Sequence, residues 1–479
     1  MIQNFNSTGL LAPQVEHAKT LCYSLITNNI SWDASGTGQG KTYVAASILR
    51  HLGTKFVVIC PKLNIPKWAK VLTEFGLTAE FILNYEKIAR GNLKKIYRYK
   101  TKGQKGIPHF LRGEFKMPTD WTVICDESHR SKGIETLSAG LLYALKNQGY
   151  RIHCCSATQA MTVLDMRAFG YATNLHQGMN VLKSENYGMR KFKQFAIDSG
   201  AKPVGKWGAL YVDPEDAESK EKFQAVNDNL FNVQKIGSRM NREDFGDIFP
   251  NNQIDCSAYD MGENGRRIQR VYDDMEAELA RLEDRCENYK EHIFAVLIKA
   301  RRMAELLKVP SLIEMATELY DENKSTVIFV NFTDTIESLY KRLSEKFGAD
   351  KIGQIHGEQT FKQRFDDIEA FQTDKKRIII ANTCAGGESI DLHDITGNHP
   401  RASLINPSYR SISVVQSIGR IDRANALSDC LTRLVLANGT IENSVADKFN
   451  MKKNNLDILN DGDIIPDGKY FRLAAGMNV

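Results

Sequence analysis

Short apolar runs alternate with helix-period stretches twice along this chain. In the first half the runs are Phe56-Val57-Val58-Ile59-Cys60, Val123-Ile124-Cys125 and Ile152-His153-Cys154-Cys155. In the last third they are Val327-Ile328-Phe329-Val330, Ile378-Ile379-Ile380-Ala381, Ser403-Leu404-Ile405 and Leu434-Val435-Leu436. Continuous apolar strands joined by helices predict parallel sheets covered on both faces, and two such blocks predict two α/β domains. Between them, from about Asn264 to Leu307, Ile268, Val271, Tyr272, Met275, Leu279, Leu282, Cys286, Tyr289, Ile293 and Leu297 mostly step by three or four. That spacing predicts a long amphipathic helix or a helical pair, with Arg281, Glu283, Asp284 and Arg285 on its outer face and Pro310 closing the region. The expected organisation is an α/β lobe over 1–185, a mostly helical connecting region over 186–310, a second α/β lobe over 311–460 and an extension over 461–479.

Composition narrows the class without naming it. The 479 residues are 42% hydrophobic and 25% charged with a net charge of +5, which permits a nucleic-acid partner but makes any basic footprint local. No apolar run approaches the ~20 residues needed to span a bilayer, and no basic head precedes an apolar segment at the N-terminus. Nine cysteines are present without a C-x-x-C pair and without histidines at ligand spacing; Cys60, Cys125, Cys154 and Cys155 fall in apolar strand-like runs and read as buried thiols in a reducing compartment. A cytoplasmic monomer with no membrane partner is expected.

The chemistry begins at Ser35-Gly36-Thr37-Gly38-Gln39-Gly40-Lys41-Thr42, followed by the helical run Tyr43–Leu49. A glycine-rich turn ending in Lys-Thr at a helix N-terminus converges backbone N–H groups on an anion. Lys41 reaches the β- and γ-phosphates and Thr42 ligates Mg²⁺. Gly36, Thr37, Gly38, Gln39, Gly40, Lys41 and Thr42 are therefore expected to hold ATP, although Ser35 stands where the usual pattern has glycine. About ninety residues on, Val123-Ile124-Cys125 delivers Asp126-Glu127-Ser128-His129. Asp126 at a strand end suits the Mg²⁺ shell and Glu127 suits polarisation of an attacking water.

Together these segments make the chain resemble the superfamily-two helicases, and among them the Swi/Snf-type remodelling ATPases and annealing helicases, over about Leu11 to Leu459. The resemblance implies two RecA-like lobes with a helical insertion between them, ATP and Mg²⁺ as cofactors, and a nucleic-acid partner, with duplex DNA favoured by that branch. Pro13-Gln14-Val15-Glu16-His17-Ala18 resembles the adenine-contacting segment, with Gln14 as reader. Pro61-Lys62, running on to Pro66-Lys67-Trp68, resembles a DNA-contacting segment, and Ser156-Ala157-Thr158 one that couples ATP state to nucleic-acid grip. His129 of the D-E-x-H box is implied in the same coupling. In the second half Val327–Phe332, His356-Gly357, Arg364, Phe371, Thr383–Leu392, Gln416–Arg423 and Gly439-Thr440-Ile441-Glu442 follow in family order. Asn331 and Thr383 are implied in backbone contact, Gly387 and Asp391 in nucleotide binding, and Gln416, Arg420 and Arg423 in catalysis.

The arginines also have an independent rationale. Charge developing on the γ-phosphate is stabilised by a fork-shaped guanidinium, a contribution of roughly 10³–10⁵ in rate. Gln159, Ser389 and Asp391 depart from the remodelling branch, which touches the subfamily and no phosphate or metal ligand. Between Gly91 and Gly106, Lys94, Lys95, Arg98, Lys100, Lys102 and Lys105 interleave with Tyr97 and Tyr99. This reads equally as a phosphate-contacting loop with stacking rings or as a solvated hairpin. The alternatives to a duplex-DNA motor are an RNA or single-strand helicase, a one-lobe packaging-type ATPase and a non-catalytic nucleic-acid-binding scaffold. A compact chain without reader domains points to a phage or bacterial source.

Overall fold

The computed structural model describes residues 2 and 5–452 apart from 90–92, 94, 100–112, 133–135, 158, 161, 179–184, 205–208, 213–215, 286–289, 384–389 and 409–410. Two compact units divide the chain, Met1–Gly246 and Asp247–Val479.

Unit 1 is built on six parallel strands, β1 (Ile30–Asp33), β2 (Phe56–Cys60), β3 (Phe81–Asn84), β4 (Thr122–Asp126), β5 (Arg151–Cys155) and β6 (Gly237–Ser238), in the order β6-β1-β5-β4-β2-β3. Every residue of β2 and β4 is buried, and alternate residues feed opposite faces. Val57, Ile59, Val123 and Cys125 join one core with Leu141, Leu142 and Leu145 of helix α4 (Leu137–Gln148). Phe56, Val58, Cys60 and Ile124 join the other. There they meet Ala45, Ala46 and Leu49 of α2 (Lys41–Leu52) and Trp68, Val71 and Leu72 of α3 (Ile65–Glu74). The period of two in an all-apolar strand is thus what a sheet covered on both faces requires. Helix α1 (Ala12–Asn28) packs beside α2 and β1.

Unit 2 repeats the plan with β7 (Asn252–Asp255), β8 (Ser325–Val330), β9 (Ile352–Ile355), β10 (Ile378–Asn382), β11 (Arg401–Ile405) and β12 (Cys430–Leu434), all parallel, in the order β7-β12-β11-β8-β10-β9. The expected helical stretch is a pair, α5 (Glu263–Arg285) and α6 (Lys290–Leu307). Its Ile268, Tyr272, Met275, Leu279, Ile293 and Leu297 belong to the same core as Ile328, Val330, Ile380 and Leu404 of the sheet. The segment expected as a connecting region is therefore shared: its first part packs with unit 1 and supplies β6, and the rest packs with unit 2 and supplies β7. Pro310 lies in the first turn of α7 (Val309–Asp321), where its missing N–H has no intrahelical partner to lose.

The run Leu434-Val435-Leu436 is broken in the structure. Strand β12 stops at Leu434, and Leu436–Ala437 pairs with Ala258–Tyr259 in a separate ribbon. Among the described residues no helix is long and apolar enough to cross a membrane. The described cysteines, Cys22, Cys60, Cys125, Cys154, Cys155, Cys256 and Cys430, are buried.

Candidate nucleotide and nucleic-acid site

Three neighbouring strands bring the glycine-rich turn, the acidic box and Ser156 to one level. Asp33 of β1 is in register with Cys155 of β5, and Cys155 with Asp126 of β4. All three strands are parallel, so the residues that follow leave together from their C-terminal ends, where open α/β sheets bind ligands.

The turn after β1 is held by hydrogen bonds that its sequence makes available. Gly38 and Gly40 have φ of 80° and 83°, and Gly40 caps α2. A Cβ on Gly40 would sit 2.3 Å from Gln14 Nε2, so the Gln14 amide would have to move, and the positive φ itself favours glycine. Gln14 donates from Nε2 to Gln39 O (2.9 Å), and Gln39 Oε1 accepts from Gly36 N (2.7 Å). Lys41 donates to Ser35 O and Gly36 O, both at 2.9 Å, bridging the mouth of the turn. Asp33 is wholly buried beneath it. Burial pushes the Asp33 carboxyl up, but His17, Lys41 and the Ser35 hydrogen bond outweigh burial and hold it well below the usual carboxylate range.

The acidic box is equally constrained. Asp126 Oδ2 accepts from Asn64 Nδ2 and Trp68 Nε1, both at 2.8 Å, while Oδ1 accepts from Glu127 N (3.0 Å). Burial and then repulsion from Glu127 raise the Asp126 carboxyl above its ordinary value, against the pull of Trp68, Asn64 and Lys41. Glu127 adopts a left-handed backbone (φ 51°), unusual for a residue with a long side chain. Its carboxylate lies 3.3 Å from His129 Nδ1, which is 3.1 Å from Ser156 Oγ. One chain of contacts therefore joins Glu127, His129 and Ser156. Gln159, fully buried, accepts from the Ser128 hydroxyl and donates back to Ser128 O (3.3 Å). Its departure from the remodelling pattern has a physical use: the amide clasps the box from the next loop.

Thr42 and Asp126 offer two oxygen donors beside the phosphate turn. That donor set suits Mg²⁺, which keeps most of its ligands as water and phosphate. The raised Asp126 carboxyl beside Glu127 also fits a cation, since added positive charge relieves both burial and repulsion. Among the described residues no cluster of three or more His, Cys, Asp or Glu could hold a metal alone.

In unit 2, Arg420 is 2% exposed, and both it and Arg423 donate to Ile390 O at 3.2 Å. Arg423 also pairs with Asp391 (2.9 Å). The two arginines and Asp391 thus form one group; Gln416 lies half-buried on helix α10 (Ser411–Ile418), with α8 (Thr333–Phe347) and α9 (Phe361–Gln372) preceding it. Asn331, after β8, donates to the buried carboxylate of Glu305 on α6 (2.8 Å), which also accepts the Asn331 and Phe332 N–H groups. Glu305 in turn accepts from Asn406, which accepts from Lys308, and Lys308 pairs with Glu442 at 2.7 Å. Tyr272 donates to the same Glu442.

Of the residues expected against nucleic acid, Lys62 is exposed and Asn331 half-buried, whereas the side chains of Pro61, Ser156 and Thr383 are buried. Trp68 is entirely buried and serves Asp126. Thr158 and Gly387 lie outside the described residues, as does most of the basic segment 91–106. Its described part corrects the stacking reading for one ring: Tyr97 is fully buried, pairs in a short ribbon with Phe115 and packs against that ring at 4.8 Å. Sequence reasoning missed Asn64, His17, Glu305 and Tyr85, whose hydroxyl donates to Asp126 O at 2.9 Å; their partners are distant in sequence. Only the spacing of His17 three residues after Gln14, on one helix face, hinted at one of them.

Residues 307–425 match the helicase conserved C-terminal domain family. Over 498 residues the chain is 30% identical to an Acanthamoeba polyphaga mimivirus protein named "Putative ATP-dependent RNA helicase", covering 99% of this chain and 88% of that one. The chain belongs to the superfamily 2 helicases. Its two parallel-sheet units are the RecA-like lobes of such a helicase. Solved structures of similar outline include the Sulfolobus solfataricus SWI2/SNF2 ATPase core in complex with dsDNA, at 15% identity over 97% of this chain and 95% of that chain, with a TM-score of 0.37. Another is S. cerevisiae Dbp5 bound to RNA and ADP BeF3, at 12% identity over 96% of this chain and 95% of that one, with a TM-score of 0.48. At those scores neither likeness bears on the substrate of this helicase.

Proposed function

We propose that this helicase hydrolyses ATP to move along nucleic acid, with duplex DNA as its track. The observation that carries the reading is the register of Asp33, Cys155 and Asp126, which sends the lysine turn, the Asp-Glu pair and Ser156 out of one sheet edge together. Lys41 and the backbone of residues 36–42 bind the β- and γ-phosphates. Glu127 orients the attacking water, and its strained backbone fixes where the carboxylate points. Thr42 and Asp126 would hold Mg²⁺, which supplies charge neutralisation of the phosphate oxygens when bound. Arg420 and Arg423 stabilise charge on the γ-phosphate, and the Glu127–His129–Ser156 chain carries the nucleotide state to the loop that grips the strand. Lys62 and Asn331 contact the sugar-phosphate backbone, which positions without reading sequence.

A second reading, an RNA helicase, is favoured by the name of the mimivirus relative. Phosphate release measured with duplex DNA, single-stranded DNA and RNA at one fixed salt concentration separates the two, since such binding is strongly salt-dependent. Stimulation by duplex DNA above the others supports the first reading. Stimulation by RNA alone replaces it with the second, and no stimulation by any polynucleotide overturns both.

A further inference from the structure

We infer that His17 is a positioning residue for the phosphate turn, acting through Ser35 and tied to the last strand of unit 1; this rests on reading residues 35–42 as the ATP loop. His17 lies one turn after Gln14 on α1, and the two side chains strap opposite ends of the loop. Gln14 holds Gln39 O, as described, while His17 Nε2 lies 3.2 Å from Ser35 Oγ and 3.1 Å from Asp33 Oδ1. A carboxylate only accepts, so Nε2 carries a proton, and Nδ1 shares a hydrogen bond with the Ser238 hydroxyl at 2.8 Å. Both ring nitrogens are thereby used, in a site where His17 is 6% exposed and Asp33 and Ser35 are fully buried.

Ser238 belongs to β6, and the chain on either side of it zips onto the loop. Trp32 N donates to Ile236 O (2.8 Å) and Ala34 N to Ser238 O (2.9 Å). Arg239 Nε donates to Ala34 O and Met240 N to Ser35 Oγ, both at 3.1 Å. Ser35 is the hinge of this arrangement. Its side chain is held by His17 and Met240, and its carbonyl is one of the two that receive Lys41. A shift of Ser35 would therefore move the lysine. The serine in place of the usual glycine supplies the hydroxyl that this tie needs, and the imidazole spans α1, β1 and β6 as no aliphatic side chain could. Six residues past Met240 the first unit ends, so the segment that sets the loop is also the one that leads the chain out of it.

Because the tie acts on the loop before chemistry, its loss removes binding shared by substrate and transition state, raising KM with little change in kcat. The test uses the full chain, a fluorescent ATP analogue for equilibrium binding, and steady-state ATPase with saturating polynucleotide. His17→Leu is expected to raise Kd and KM by about tenfold with kcat within about threefold, and His17→Gln, which keeps a donor, to recover most of the loss. Ser238→Ala, remote from the phosphates, is expected to raise KM by about threefold with an unchanged Tm. A lowered Tm with unaltered KM in His17→Leu, or unaltered KM in Ser238→Ala should the leucine variant not fold, overturns the inference. Wild-type protein that binds no analogue overturns the ATP reading itself and the inference with it; binding lost in Lys41→Ala but kept in His17→Leu and Ser238→Ala overturns only the inference.

Discussion

The two units share a parallel-sheet plan but spend their buried polar groups differently. In unit 1 Asp33, Asp126, Gln14 and His17 converge on a glycine turn and a strand end, within reach of a ligand. In unit 2 Glu305, Lys308, Asn406, Glu442 and Tyr272 satisfy one another, binding α5 and α6 to the ends of β8, β11 and the segment after β12. The first set leaves Asp126 buried beside a like charge, and burial and then Glu127 push its carboxyl up. In the second, each charged group has close partners. On the proposed function, buried charge therefore serves a reactive site in one unit and a brace in the other.

The strongest challenge to that contrast comes from Arg420, a buried residue of unit 2 assigned to catalysis. Arg420→Ala is expected to lower kcat by roughly 10³-fold or more, and Arg420→Lys not to restore it, because an ammonium lacks the fork. Lys41→Ala in unit 1 should cost about 10²–10³ in the same assay. If Arg420→Ala lowers Tm but leaves turnover intact, every buried charge of unit 2 is bracing and the contrast becomes absolute.

Lys308→Met probes the brace. Removing one member of a buried pair leaves Glu442 uncompensated, so stability should fall by about 3–5 kcal/mol. Denaturant unfolding should show the transition of unit 2 moving and that of unit 1 staying in place, with the Kd for ATP unaltered. Asp33→Asn makes the complementary measurement in unit 1. The folded-state carboxyl of Asp33 is depressed, so its stabilisation is complete well above the unfolded value of about 4 and fades as pH falls through and below it. The Tm gap between wild type and variant should thus be full at neutral pH and close in acid; a gap independent of pH would show that the carboxylate charge is not what stabilises. Smallest is Lys62→Ala. It should weaken polynucleotide binding a few-fold and reduce the salt slope by about 1, with ATP affinity untouched.

Legibility followed the range of the interactions. Strands β2, β4, β5, β8, β10 and β11 announced themselves because all-apolar runs are what two-sided burial demands. The edge strands β6 and β7 did not: Gly237–Ser238 and Asn252–Asp255 have no such run, and they pair with strands about 180 or more residues away in sequence. The glycine-rich turn after β1 and the strand-end position of Asp126 were readable since their residues are contiguous. Trp68 and Asn64, which hold Asp126 from about sixty residues away, looked like part of a DNA-contacting segment, because nothing local reveals that an indole N–H points inward. Glu305 was hidden for the same reason, a carboxylate on a helix whose partners lie after two different strands, β8 and β11.

The left-handed backbone of Glu127 has an evolutionary corollary. The other described non-glycine residues with positive φ are Asn29, Asn174, Lys235, Asn323 and Asp374, mostly the short amides and acids that tolerate it. Glycine at 127 would relieve a conformational penalty on the order of 1 kcal/mol, so a library screened for heat resistance alone should accumulate it there. A lineage that instead retains glutamate reveals which of two pressures, durability or turnover, has governed the protein.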